Sequence, residues 1–192
     1  MKDPIFLFRP AWFSRLREPM KFPFSLLLLC GVILSASALP TQAGIETPPT
    51  TGPTVPGNRA RLKGRIAYAP ANAPEGVKRA IWATNYLVWR PYVWGGGHGT
   101  FYDRGYDCSG TISFFLHHAG LLDHPAPSKH FLNYGECGRG KWVTIYARNG
   151  HVFAVVAGLR LDTTGFRQEE GPRWRVDSRP PWGFIARHPA GL

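Results

Sequence analysis

The chain has 192 residues, 44% of them hydrophobic, and a formal net charge of +11. That apolar fraction suffices for a buried core and excludes disorder throughout. Five of the 23 basic and two of the 12 acidic residues precede Gly44, so the remainder still carries +8, with 14 of its 18 cations arginine. Such a surface attracts polyanions. No helix-turn-helix, zinc-finger or RNP-type pattern accompanies the charge, which argues against a nucleic-acid partner and points to an anionic cell wall or acidic lipid surface.

Residues 20 to 43, MKFPFSLLLLCGVILSASALPTQA, pass from a basic start through an apolar stretch at 25 to 34 to small residues at Ala36, Ala38 and Ala43. This order predicts a signal peptide over residues 1 to 43, with Met20 as an alternative start. The protein is then exported, to the periplasm, the cell envelope or beyond. The apolar run falls short of the ~20 residues of a membrane span, so a membrane enters only through an uncleaved leader. Leu29 is bulky where a lipidated Cys30 needs a small neighbour.

Residues 44 to 58, GIETPPTTGPTVPGN, read as a tether, and residues 59 to 73 as a wrap on a domain spanning 74 to 192. A first helix is predicted over residues 74 to 89, with Ala80, Ile81, Ala83, Leu87 and Val88 on its apolar face and Pro91 as its stop. Three consecutive glycines in PYVWGGGHGTFYDRG break the periodicity and predict a loop where backbone comes close to something. The second helix starts near Cys108, capped by Asp107 or Ser109, and runs through Ile112, Phe115, Leu116 and Ala119 to Gly120. The pattern then changes to strands. One ends at Ala147, an Asn149-Gly150 turn follows, a nearly unbroken apolar strand covers 151 to 157 and a third covers 159 to 163, with a last one in WGFIARH. Helices followed by an antiparallel sheet define an α+β fold.

Cys108 carries the chemical question. Unpaired amides and the aligned peptide dipoles at a helix start favour negative charge, and the thiolate is the nucleophilic form of cysteine. A histidine is the usual base for it. His117 and His118 lie on the same helix, more than two turns away, and cannot turn back; His98, His124, His130 and His188 fall in loops or the tail. His151 opens a central strand, where a sheet would fix its ring. If the following hairpin turns at Ala157-Gly158, His151 faces Thr164 and has Asp162 as its diagonal neighbour on the same face, whereas a one-residue slip puts Thr163 there. Asp162 is the better orienter, because it accepts a charge-assisted hydrogen bond. The Cys108 N–H, helped by the Tyr92 hydroxyl, would meet an oxyanion. No His, Cys or Asp cluster has metal-ligand spacing, so neither metal nor cofactor is expected.

PYVWGGG, then YDCSG opening an apolar helix, then a strand beginning HV with a polar residue about one strand further on, together resemble the NlpC-type (p-sixty-like) cell-wall cysteine peptidases over roughly residues 75 to 165. The resemblance implies a papain-like α+β domain that cuts peptidoglycan stem peptides between γ-D-glutamate and a diamino acid through a thioester acyl-enzyme. It implies nucleophile Cys108, base His151 and a substrate-contacting Tyr92, with Asp107 and Ser109 flanking the nucleophile in the cleft. The family's third polar residue is commonly histidine, sometimes asparagine or glutamine, whereas this chain offers Asp162, Thr163 or Thr164. The tail from Gly171 onward lies outside the family pattern.

Each feature also has a plainer reading. Cysteine is among the most buried residue types, and Cys108 with Cys137 would form an even pair for a disulfide in an exported protein. Trp82, Trp89, Trp94 and Trp142 would line a groove or simply pack. The competing functions are an N-acetylmuramoyl-L-alanine amidase using the same Cys-His chemistry, and a non-catalytic module that binds or regulates at the wall.

Overall fold

The structure is a computed structural model and describes residues 47–164 and 171–192. The expected leader lies outside the described residues. The segment read as tether and wrap contributes structure of its own: strands β1 (Thr54–Val55), β2 (Arg61–Lys63) and β3 (Ile66–Pro70) form a three-stranded sheet in the order β1-β3-β2. Ala67 and Ala69, on the inward side of β3, are fully buried. The Trp82 indole donates to the Pro53 carbonyl at 2.9 Å, which ties the start of this segment to the first helix. Spacing of prolines and glycines mimicked a linker here, while the alternating small apolar residues carried the strand signal.

Helix α1 (Glu75–Thr84) ends earlier than the periodicity predicts and continues as a 3-10 turn, Asn85–Trp89. The reason is Asn85, whose side chain accepts from the Ala67 amide at 2.8 Å and donates to the Ala67 carbonyl at 3.0 Å, in the manner of a strand neighbour. Helix α2 (Cys108–Ala119) starts as expected, with Asp107 as its cap, and stops at Gly120 in the left-handed conformation, φ 79°. A second 3-10 turn, Ser128–Leu132, precedes the main sheet.

That sheet has six strands: β4 (Glu136–Cys137), β5 (Val143–Arg148), β6 (His151–Val156), β7 (Leu159–Asp162), β8 (Arg173–Arg175) and β9 (Ile185–His188), in the order β4-β9-β5-β6-β7-β8. Every neighbouring pair is antiparallel. With two helices, a small mixed sheet whose β1–β3 pair is parallel and an antiparallel six-stranded sheet, the fold is α+β. The strands β4 and β8 were not visible in the sequence, and the last strand covers only the end of WGFIARH.

Register fixes the faces of the sheet. Val156 pairs with Leu159 and Ala154 with Leu161, around a turn at Ala157-Gly158 in which both residues have positive φ, as a type I′ hairpin requires. Val152, Ala154 and Val156 enter the main core with Ile112, Phe115 and Leu116 of α2 and Val77, Ala80 and Ile81 of α1. By the alternation of a strand, His151 and Phe153 occupy the other face, and the same register continued by one pair sets Asp162 opposite Phe153. The C-terminal segment covers that face, its Phe184 ring packing edge-on 5.1 Å from Phe153 and 6.0 Å from His151.

Candidate active site

Asp107 organises the start of α2. One carboxylate oxygen accepts from the Gly110 amide at 2.8 Å and from the Ser109 hydroxyl at 3.0 Å, and the other accepts from the Gly95 amide at 3.2 Å. Cys108 is therefore the first residue of a capped helix that is locked to the glycine loop. The approach is close: Gly96 and Gly97 lie against Gly110, and a Cβ built on Gly110 would sit 2.1 Å from the Gly96 carbonyl oxygen.

His98 completes this cluster, its Nε2 lying 2.9 Å from Asp107 and 2.9 Å from the Ser109 hydroxyl. In the sequence it stands in the glycine loop, away from any helix or strand. The available signal was chemical: a buried cap carboxylate beside a glycine loop has more acceptor sites than its own helix can fill. Tyr92 is half-buried and paired by a parallel bridge with Tyr106. Burial, with the charges of Cys108 and Asp107, raises its phenol above the ordinary value.

Cys108 and His151 come from α2 and β6, are both buried, and lie near enough for the thiol to act on the imidazole, whose pKa it helps to raise. Asp162 takes up His151 Nε2 at 3.1 Å, which leaves Nδ1 as the ring nitrogen for the thiol. Burial alone would lower the His151 pKa, but the hydrogen bond to Asp162 and the nearby Cys108 outweigh it, and the net shift is upward. Asp162 has no exposed side-chain surface. Burial would raise its pKa, yet His151, the Thr164 amide and Arg179 together hold it far below the carboxylate range.

Of the three residues weighed as orienter, Asp162 is the one that meets His151. Thr164 donates instead to Asp162, from its amide at 3.0 Å and its hydroxyl at 2.9 Å. The Thr163 hydroxyl is buried with no hydrogen-bond partner. Two arginines that the sequence did not single out also converge here: Arg160 donates to Asp162 at 2.6 Å and Arg179 at 2.9 Å. Arg179 further contacts Thr164 and lies 3.2 Å from His151 Nε2. Because Arg179 is itself a donor and is held by Asp162, the ring proton on Nε2 belongs to the Asp162 bond, and Nδ1 is kept as the acceptor.

The disulfide alternative is not formed. Both cysteines are free, with Cys108 buried and Cys137 exposed on β4 rather than in a loop. Of the four tryptophans weighed as groove residues, Trp82 and Trp142 are core, whereas Trp89 and Trp94 are 66% and 87% exposed. Among the described residues no group of three or more His, Cys, Asp or Glu side chains is arranged to hold a metal. No model of a protein family matches the chain, and no curated protein is similar to it.

Proposed function

We propose that the protein is an exported cysteine hydrolase with a papain-like, NlpC-type domain, cleaving peptidoglycan stem peptides at the γ-D-glutamyl–diamino acid bond. The observation that carries this reading is the placement of a buried His151, hydrogen-bonded to Asp162, beside the buried Cys108 at a helix start. A structural cysteine needs no base, and a satisfied structural histidine needs no thiol.

In this reading His151 Nδ1 takes the proton of Cys108, and Sγ attacks the peptide carbonyl carbon. The Cys108 amide, at the first position of α2, meets the oxyanion together with the Tyr92 hydroxyl. The C–N bond then breaks as the imidazolium returns its proton to the leaving amine, giving a thioester. Water, losing a proton to His151, attacks the thioester and releases the acid and the thiol. Asp162 holds the ring and its tautomer throughout. Asp107, Ser109 and Tyr92 would contact the acyl side of the peptide, and the basic surface would keep the enzyme near an anionic wall.

The test is digestion of purified peptidoglycan by residues 44–192 beside Cys108→Ala under reducing conditions, with fragments identified by mass spectrometry. Stem-peptide fragments from the unmodified protein alone are expected. Release of L-alanine from the sugar instead would transfer the activity to the amidase reading, and no release from either protein would leave a wall-binding module.

A further inference from the structure

Directly behind Asp162 the surface opens into a groove of about 460 Å³ whose lining includes Arg160, Arg175, Asp177 and Arg179. It adjoins a second hollow of about 420 Å³ that shares Arg160, Asp177 and Arg179 and adds Arg59 and Arg139. Among the described residues, five guanidinium groups and the carboxylate of Asp177 line this surface, Arg175 having an interaction of its own. Arg160 is occupied, reaching Asp162 with one terminal nitrogen and Asp177 with the other.

Arg179 differs. Its hydrogen bonds among the described residues come from Nη1, to Asp162 and Thr164, and its Nε and Nη2 are left to the groove. Its guanidinium carbon stands 5.3 Å from the Phe153 ring and 5.2 Å from the Phe184 ring, which fixes it without using a donor. A planar cation, pinned by two rings and with donors to spare, is a preorganised receptor for a carboxylate.

Its place relative to the chemistry sets which carboxylate. The attacked carbonyl lies at Cys108, and the leaving nitrogen collects its proton from His151 Nδ1. A leaving residue that runs on along the imidazole would reach the Nε2 edge, where Arg179 stands 3.2 Å away. We propose that the Arg179 groove binds a carboxylate on the leaving-group side of the substrate, so that the enzyme prefers an acidic residue immediately after the cleaved bond. The substrate class rests on the hydrolase reading above; the anion site does not.

Two measurements separate them. In a Cys137→Ser background, Cys108 is alkylated by iodoacetate and by iodoacetamide, and the ratio of the two rates is compared with that of Arg179→Gln and Arg179→Lys. Both reagents consume the same thiolate, so a disturbance of the Cys108–His151 pair cancels in the ratio. The ratio is expected to fall about threefold in Arg179→Gln, the size of one charge acting over several ångström through water, and to be retained in Arg179→Lys. An unchanged ratio in Arg179→Gln overturns the anion site. The second measurement is calorimetric binding of a γ-D-glutamyl-diaminopimelate dipeptide and its amidated form to Cys108→Ala, where the free acid is expected to bind more tightly and to lose that preference when Arg179→Gln is added. Equal binding of acid and amide overturns the leaving-side assignment. A ratio that falls while neither dipeptide binds keeps the anion site and removes the stem-peptide substrate.

Discussion

Asp162 is a single carboxylate serving His151, Thr164, Arg160 and Arg179, in a position with no solvent exposure. Asp162→Asn would turn one acceptor into a donor facing other donors and leave two guanidinium groups without their counter-ion. Breaking a buried ionic cluster from one side costs about 3–5 kcal/mol, and the partial exposure of Arg179 places the expected loss near the lower end. Catalytic efficiency is expected to fall by two to four orders of magnitude, on the order seen when an orienting carboxylate in a triad becomes an amide. The pH profile supplies a sharper readout. The Asp162 bond helps raise the His151 pKa, so the imidazolium of the variant loses its proton at lower pH. The alkaline limb of kcat/KM therefore moves down; a limb that stays in place would remove Asp162 as the orienter.

The site depends on how α2 meets the glycine loop, and two glycines of the same helix separate the reasons for it. A Cβ at Gly110 would be driven into the Gly96 carbonyl, and neither backbone can retreat without opening the Asp107 bonds to Gly95 and Gly110. Gly110→Ala is expected to cost about 3 kcal/mol in urea unfolding, the upper range of overpacking. At Gly120 nothing lies within 4 Å of an added Cβ, and only the left-handed conformation opposes alanine, so Gly120→Ala should cost about 1 kcal/mol. Equal losses at the two positions would mean that the loop yields and the contact is not what holds the helix. The same elements show why part of the fold was legible in the sequence. Asp107 and Gly120 bound α2 through signals a few residues long, and the two-residue turn at Ala157-Gly158 set the register that brings Asp162 to the face of His151. The end of α1 was not legible, because Asn85 answers to Ala67, eighteen residues earlier. Nor were Arg179 and Phe184, whose segment has neither helical nor strand periodicity before β9 and whose approach to His151 spans 28 residues or more.

For the whole molecule, pH acts through groups whose environments pull in opposite directions. His118 is lowered to about 4 by burial and by the neighbouring His117, and its Nε2 is buried with no hydrogen-bond partner. Its folded pKa lies below the unfolded 6.5, so its contribution is present above pH 6.5 and is lost as pH falls toward 4. His151 has the opposite sign: its contribution is present below 6.5 and lost as pH rises through the raised folded value. Asp162, lowered, contributes above 3.8 and loses that contribution only at stronger acid. Between pH 7 and pH 4.5 the His118 contribution is thus the one that changes most, by about 2 kcal/mol once solvent screening is allowed for. His118→Phe keeps a ring against Phe114, 4.4 Å away in the native protein, and removes the unsatisfied nitrogen. Urea unfolding of the variant should show about 1 kcal/mol more stability at pH 7, and a decline on acidification about 2 kcal/mol smaller than that of the native chain. An identical decline in both would assign the acid sensitivity to the carboxylates instead, and would mean that the layer of His117, His118, Phe101 and Phe114 accommodates a proton without cost.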